Sequence, residues 1–316
     1  MTAAAVLSIG TELTRGELTN SNARWLADRL VDLGFVVTEH STVPDDAEHI
    51  RRTLLRLAED VKVIVCTGGL GPTSDDLTTA VVADALGVAL VRDAASLAKI
   101  EARYLSAARP QPMPEMNKKM ADFPAGARIL ANEAGTAPGF GVQLGQAQAF
   151  FMPGVPREME NIFELQIAPE IASFVERRTH QIHIRTFGSF ESAVAERLRD
   201  LDLGGERHHP GITLGYRVTF PEVEVKVLAE AGSAEEARTL AETVATEVRA
   251  RLGDIAFGGK GDSYGRYVGQ LLRTAKVKVA VAESCTGGLV GKLLTDQPGS
   301  SAYALGGIIA YDNRLK

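Results

Sequence analysis

Cysteine is almost missing: the 316-residue chain holds two, Cys66 and Cys285. Two thiols, each beside glycines in a candidate loop, make neither a disulfide framework nor a metal-ligand cluster, so a reducing cytoplasmic compartment is expected. Positive charge is also scarce. With 34 Lys and Arg against 40 Asp and Glu, the net charge is −6. That argues against an overall nucleic-acid surface, although it leaves a local basic patch open. No apolar run approaches the length of a membrane span, so no membrane partner is expected. The opening "MTAAAVLSIGTEL" has no basic n-region and is apolar only briefly, so it reads as a first strand and not a signal peptide. What is present is a soluble globular composition, in a chain long enough to need two or three cores.

"AAAVLSI", Ala3 to Ile9, has the unbroken apolar character of a buried strand. A polar loop follows, "GTELTRGELTN". In "SNARWLADRLVDLG", Trp25, Leu26, Leu30 and Leu33 share one helical face, Asn20 or Ser21 can cap the start, and Gly34 stops the end. "FVVTEHSTV" predicts a second strand, "DDAEHIRRTLLRLAED" a helix capped by Asp45 or Asp46, "VKVIVC" a third strand, and "DDLTTAVVADALG" another helix. This β-α-β-α-β order argues for a largely parallel sheet with helices on its faces. Residues 92–121 have helical character broken by "RPQPMP". "GFGVQLGQAQAFFMPG" alternates around Gly145 as a hairpin at a sheet edge, and "VPREMENIFELQIAPEI" predicts a helix with Pro156 in its first turn.

From about Thr179 the pattern changes to a small α+β unit: "HQIHIRTFG" as a strand, "SFESAVAERLRDL" as a helix, a strand pair around "FPE", and a long amphipathic helix over "SAEEARTLAETVATEVRARLG". "FGGKGDSYG" is glycine-rich and reads as a linker. A third α/β unit follows from Tyr264 to Lys316, with helix, strand, helix, strand. Parallel strands bury both faces, and this stretch has little chain with which to cover itself. It is therefore expected either to pack on something else or to be an incomplete domain.

The densest chemistry lies in "CTGGLGPTSDD", Cys66 to Asp76, between a strand and a helix. Ligands of open parallel sheets collect beyond the carboxyl ends of strands. Gly68, Gly69 and Gly71, flanked by Thr67 and Thr73, let backbone amides approach a phosphate. Asp75 and Asp76 would repel a bare phosphate, but they suit a hard cation such as Mg²⁺ placed between. Equally, Asp75 can cap the helix and the glycines can simply make a turn. Two more strand-to-helix loops strengthen the first reading. One, "GTELTRGELTNSN", offers Thr11, Glu12, Asn20 and Asn22; the other, "MPGVPREM", offers Pro153, Gly154 and Arg157. Glu12 and Arg157 can also be solvated surface charges. In the third unit, Ser284 sits on a strand-to-helix turn beside Thr286, where a nucleophile would lie close to amides, and Lys316 is a candidate base; capping of the helix is the plainer alternative. His208 and His209 lack convergent partners and read as exposed loop histidines. "CTGG" occurs at both Cys66 and Cys285, but the flanks differ, so no repeat is inferred.

Together "SIGTELTRGELTNSN", "VPDD", "CTGGLGPTSDD" and "FFMPGVPREM" resemble the CinA (competence/damage-inducible) family, over nearly the whole chain. The resemblance implies three domains: residues 1–169, a molybdopterin-binding-like (MoaB/MogA-like) parallel-sheet α/β domain; residues 170–255, a KH-like α+β domain; and residues 264–316, part of an α/β deamidase domain, after a linker at 256–263. "TGGLGPTSDD" is similar to the "TGGTG…D" signature of the first domain, with Leu70 where threonine is common. Asp76 and Asp45 match functional aspartates there. The resemblance implies metal-dependent hydrolysis of ADP-ribose to AMP and ribose 5-phosphate. Asp76, Asp75 and Asp45 would be the catalytic residues and Asp75 and Asp76 the ligands of a divalent cation. Substrate contacts would come from Glu12, Asn20, Asn22, Thr67, Gly68, Gly69, Gly71, Thr73, Pro153, Gly154 and Arg157. Binding of a molybdopterin or nucleotide phosphate without turnover is the alternative use of the same pocket.

"AESCTGG" likewise resembles the signature of the domain that deamidates nicotinamide mononucleotide, with Ser284 as nucleophile, Lys316 as its base, and the turn through Thr286 and Gly287 as oxyanion site. That domain ordinarily continues into a further "TG…GP" motif, so the unit is expected to be incomplete and inactive as a deamidase. The only GXXG stretch in or beside this unit, "GGKG" at Gly258 to Gly261, falls in the linker, so the KH-like unit is expected not to bind RNA. A homodimer is expected from the resemblance.

Overall fold

The computed structural model describes residues 2–106, 111–176 and 178–315, and divides the chain into two compact units, residues 1–179 and 180–316. The first is built on strands β1 (Ala3–Ile9), β2 (Val36–Val43) and β3 (Val63–Thr67), a short ribbon of β4 (Leu90–Arg92) with β5 (Asp122–Pro124), and β6 (Arg128–Leu130), β7 (Gly139–Leu144) and β8 (Ala147–Met152). Its helices are α1 (Thr11–Thr14), α2 (Ser21–Leu33), α3 (Ala47–Asp60), α4 (Thr78–Leu86), α5 (Ala94–Leu105) and α6 (Pro156–Ile162), the last running through a π-helical turn at Phe163–Ile167 into α7 (Ala168–Ile171). The main sheet has the order β2-β1-β3-β8-β7-β6. Pairings among β2, β1, β3 and β8 are parallel, while β7 and β6 add antiparallel strands. The α/β class expected from the sequence is borne out.

Both faces of this sheet are covered. Alternation along β1 sends Ala5, Leu7 and Ile9 to one face, against Ile50, Leu54 and Leu57 of α3 and Val81 and Val82 of α4. It sends Ala4 and Val6 to the other, against Leu26 and Leu30 of α2 and Met159, Ile162 and Phe163. This is why the central strands read as unbroken apolar runs. Asn20 caps α2 by accepting from the Ala23 amide, a bond worth about 1 kcal/mol, and Gly34 ends it in the left-handed region.

Four expectations change. The β7–β8 hairpin is not at an edge: β8 sits between β3 and β7, and β6 lies outside β7. The polar loop after β1 contains a helical turn, α1. Residues 92–121 split into the end of β4, α5 and a 3₁₀ helix at Glu115–Ala121, with part of the proline-rich break outside the described residues. Cys66 lies in β3, buried, and only Cys285 is on an exposed turn.

The second unit holds a sheet of order β10-β11-β9-β12, made of β9 (Arg178–Phe187), β10 (Ile212–Thr219), β11 (Glu222–Ala231) and β12 (Ala256–Gly258). The helices α8 (Glu191–Leu198) and α9 (Ala234–Leu252) pack on it, α9 starting from a capping box of Ser233 and Glu236. The stretch expected as a linker thus begins as a strand, paired antiparallel with β9, and its Gly259 amide donates to Asp262. The glycines that suggested freedom instead allow an edge strand to turn tightly. The "GGKG" stretch falls at the end of β12, after α9 and not between two helices. His208 and His209 are half-buried, not exposed, with His209 Nε2 3.8 Å from Glu247. Beyond them, α10 (Tyr264–Thr274), β13 (Val279–Glu283), α11 (Leu289–Thr295) and β14 (Ala304–Ile309) form a helix-strand-helix-strand unit in which β13 and β14 pair in parallel. Tyr264 stacks on Phe187 at 3.9 Å, fastening α10 to the α+β sheet.

Candidate active site

Because β2, β1, β3 and β8 are neighbours and parallel, the loops that follow them must emerge at one edge of the sheet. One cleft of about 430 Å³ gathers them there. Gly10 and Glu12 come from the segment after β1, Asp45 from the loop after β2, Gly68 to Pro72 with Asp75 and Asp76 from that after β3, Pro153 and Gly154 from that after β8, and Glu158 from the first turn of α6. The first two loops are tied together: Asp45 Oδ2 accepts from the Thr11 amide at 2.7 Å and the Thr11 hydroxyl at 2.9 Å. Asp46, not Asp45, caps α3. The third and fourth loops are tied by Asn22, whose Nδ2 donates to the Gly154 carbonyl at 2.8 Å and to the Thr67 hydroxyl at 3.2 Å. Thr67 in turn donates to the Pro153 carbonyl. Asn22 and Thr67 are therefore struts beneath the cleft, and Asn20 is a helix cap.

Within the glycine loop the roles differ. Gly68 has φ +108°, and its amide is already donated to the Met152 carbonyl at 3.0 Å. It makes the turn and offers no amide to an anion. Gly69, also at positive φ, lies so close to Thr78 that a β-carbon would come within 2.2 Å of the hydroxyl. The amides of Gly69, Leu70 and Gly71 carry no protein partner among the described residues. The Leu70 side chain is buried in the core and anchors this stretch of backbone. Asp75 and Asp76 do not cap α4, whose first turn has no side-chain cap. Asp76 Oδ2 instead accepts from the Thr73 amide at 2.9 Å and from its hydroxyl. The same hydroxyl holds the Asp75 carboxyl below its usual range, with a smaller pull from Lys119; having one proton, it serves one carboxylate at a time.

Arg157 is exposed and does not line the cleft. The phase of α6, fixed by buried Met159, Ile162 and Phe163, turns it to solvent and turns Glu158 inward. Sequence reading missed Glu158, which accepts from Asn132 Nδ2 at 2.6 Å, and the helix phase could have found it. It also missed Lys119, whose ammonium donates to the Thr73 carbonyl; no local pattern marks that residue.

Five carboxylates, Glu12, Asp45, Asp75, Asp76 and Glu158, line the cleft, yet among the described residues no group of three or more His, Cys, Asp or Glu is close enough to hold a metal alone. A Mg²⁺-like ion needs only one or two protein carboxylates, the rest of its shell being water and substrate phosphate. The residues fit such an ion and do not fit a caged structural metal.

In the third unit, Ser284 is half-buried and shares a shallow cleft with Cys285, Tyr311, Asp312 and Asn313, while Lys316 lies outside the described residues. The amides from Gly287 to Gly291 are already engaged. Glu283, 6% exposed, accepts from the amides of Gly288 at 3.1 Å, Val290 at 3.0 Å and Gly291 at 2.7 Å, and the Gly287 amide donates to the Ser284 carbonyl. Burial pushes the Glu283 carboxyl up, but the Gly291 amide, the Thr286 hydroxyl and the other two amides together hold it below the usual range. A carboxyl lowered on folding stabilises above its unfolded pKa, and that contribution is lost as pH falls through the folded value. Glu283→Gln is therefore expected to flatten the acid dependence of this unit's stability below about pH 4 and to speed amide exchange at Gly288, Val290 and Gly291. Unchanged exchange at those amides would show that Glu283 does not anchor the turn.

Three family models match the chain: a probable molybdopterin binding domain over residues 5–173, the damage-inducible protein CinA KH domain over 181–258, and the CinA C-terminal domain over 262–316. A CinA-like protein of Citrifermentans bemidjiense is 39% identical over 312 residues, 99% of this chain and 73% of that protein. A putative competence-damage inducible protein of Caldicellulosiruptor bescii is 37% identical over 313 residues, covering 99% and 75%. Among solved structures, the protein CinA from Thermoplasma acidophilum aligns with TM-score 0.48 and 34% identity, covering 52% of this chain and 94% of that one. The chain belongs to the CinA family. Among its described residues no helix is long and apolar enough to cross a membrane.

Proposed function

We propose that the first unit hydrolyses a nucleoside diphosphate sugar of the ADP-ribose type with a divalent cation. One observation carries the reading: free loop amides and an acidic pair from a single strand-to-helix loop share a cleft with the loops after β1 and β8. The amides of Gly69, Leu70 and Gly71 would bind a phosphate. Asp75 and Asp76 would hold the cation, which supplies charge neutralisation on the diphosphate and lowers the pKa of water. Asn22, Thr67 and Lys119 would keep the loops in register. Water adds to one phosphorus and the bridging P–O bond breaks, leaving AMP and ribose 5-phosphate. For the third unit no deamidase turnover is proposed: Glu283 shapes the turn that carries Ser284 and occupies the amides of Gly288, Val290 and Gly291.

A second reading, binding of a molybdopterin or nucleotide phosphate without turnover, rests on the family model over residues 5–173. The two separate on product. Full-length chain with ADP-ribose and MgCl₂ is expected to release AMP and ribose 5-phosphate, and EDTA to stop it. Binding of ADP-ribose without product would favour the second reading.

A further inference from the structure

A second cleft of about 630 Å³ adjoins the first, within the size range of small-molecule sites. Its walls are α5 and the segment from Ile129 to Pro138. Thr136 lines both clefts, and the hydrogen bond between Asn132, in the second, and Glu158, in the first, forms part of the wall between them. Apolar groups floor it: Ile100, Ile129, Ala131 and Pro138. Lys99 and Arg103, one turn apart on α5, reach across its rim toward Glu133, with Lys99 3.5 Å from the carboxylate and Arg103 3.5 Å from the carbonyl.

The two clefts differ in what they can recognise. The first is lined by carboxylates, which accept from sugar hydroxyls and repel an anion that arrives without a cation. The second offers apolar walls with the Arg103 guanidinium at its edge, and its two carboxylates are occupied, Asp93 by the Ser96 amide and Glu133 by Lys99. A flat aromatic ring with polar edges fits that chemistry, because guanidinium planes stack on aromatic faces. Building on the diphosphate reading above, we propose that the slot between α5 and residues 129–138 holds the nucleobase of a nucleoside diphosphate substrate. The diphosphate then lies at the glycine loop, and the sugar end is turned toward Glu12 and Asp45. The slot would thus distinguish a nucleotide from other diphosphates.

Ala102 lines the slot from an exposed position on α5, so a large side chain there fills the slot without entering the core. Calorimetric titration of the full chain in MgCl₂ with ADP and with inorganic pyrophosphate tests the assignment. Wild type is expected to bind ADP more tightly than pyrophosphate. Ala102→Trp is expected to lose roughly tenfold or more in ADP affinity, the scale of one base stacked on side chains, and to keep its pyrophosphate affinity, which also reports an intact fold. Unchanged ADP affinity in that variant would overturn the slot. Arg103→Ala weakening both compounds equally would make the slot a phosphate site and overturn the base assignment. Wild type binding neither compound would end the diphosphate reading itself, and the slot with it, a pattern distinct from the other two.

Discussion

Asp76→Ala is expected to lower ADP-ribose hydrolysis on the order of a hundred- to a thousandfold, the several kcal/mol of transition-state stabilisation that a bound cation gives. This carboxylate does two separable things. Its Oδ2 accepts from the Thr73 amide and hydroxyl and so shapes the turn after Gly71. Its charge, with that of Asp75, is what would hold the cation. Asp76→Asn keeps an oxygen for the Thr73 amide and removes the charge. If the charge matters, Asn and Ala variants lose activity together, and added Mg²⁺ recovers little. If only the turn matters, Asn stays close to wild type and Ala alone fails. Steady-state rates for both variants across a Mg²⁺ titration decide between these, and an active Asn variant would remove Asp76 from cation binding.

Reading the residues alone reached the convergence of the loops because that convergence follows from local signals. Unbroken apolar runs separated by amphipathic helices dictate parallel strands, and parallel neighbours dictate a shared edge. Caps were legible for the same reason, as with Asn20 and Gly34, since each acts within a few residues. What failed was long-range. Nothing within "GFGVQLGQAQAFFM" says that its second strand inserts beside β3, yet that pairing places Gly154 against Gly68. The choice between Asp45 and Asp46 as cap turned on Thr11, 34 residues away. The loop motif points to Arg157, but the phase of α6 turns Glu158 inward instead. Lys119 reaches the glycine loop across 46 residues and has no local signature. Glu283 differs, because an acid just before a helix start is a recognisable partner for free amides.

Gly68→Ala is expected to be the most damaging single-methyl change in the first unit. A β-carbon there would lie 2.0 Å from the Ile9 carbonyl oxygen, at φ +108°, where a side chain is strained whatever the space. The neighbour cannot yield, since Ile9 is the last residue of β1 and is buried in the core. Relief requires β1 or the β3 loop to move, which breaks the hydrogen bond from the Gly68 amide to the Met152 carbonyl and separates the loop from Gly154. A cost of about 3–5 kcal/mol is expected, the upper range for single substitutions that combine strain with a lost bond. Gly16, also at positive φ but with nothing within 4 Å of its β-carbon position, supplies the control. Gly16→Ala carries the backbone strain without the collision and should cost about 1–2 kcal/mol. Chemical unfolding of the two variants measures the difference. Equal destabilisation would mean that the contact between the glycine loop and the end of β1, on which the shape of the cleft depends, is looser than described.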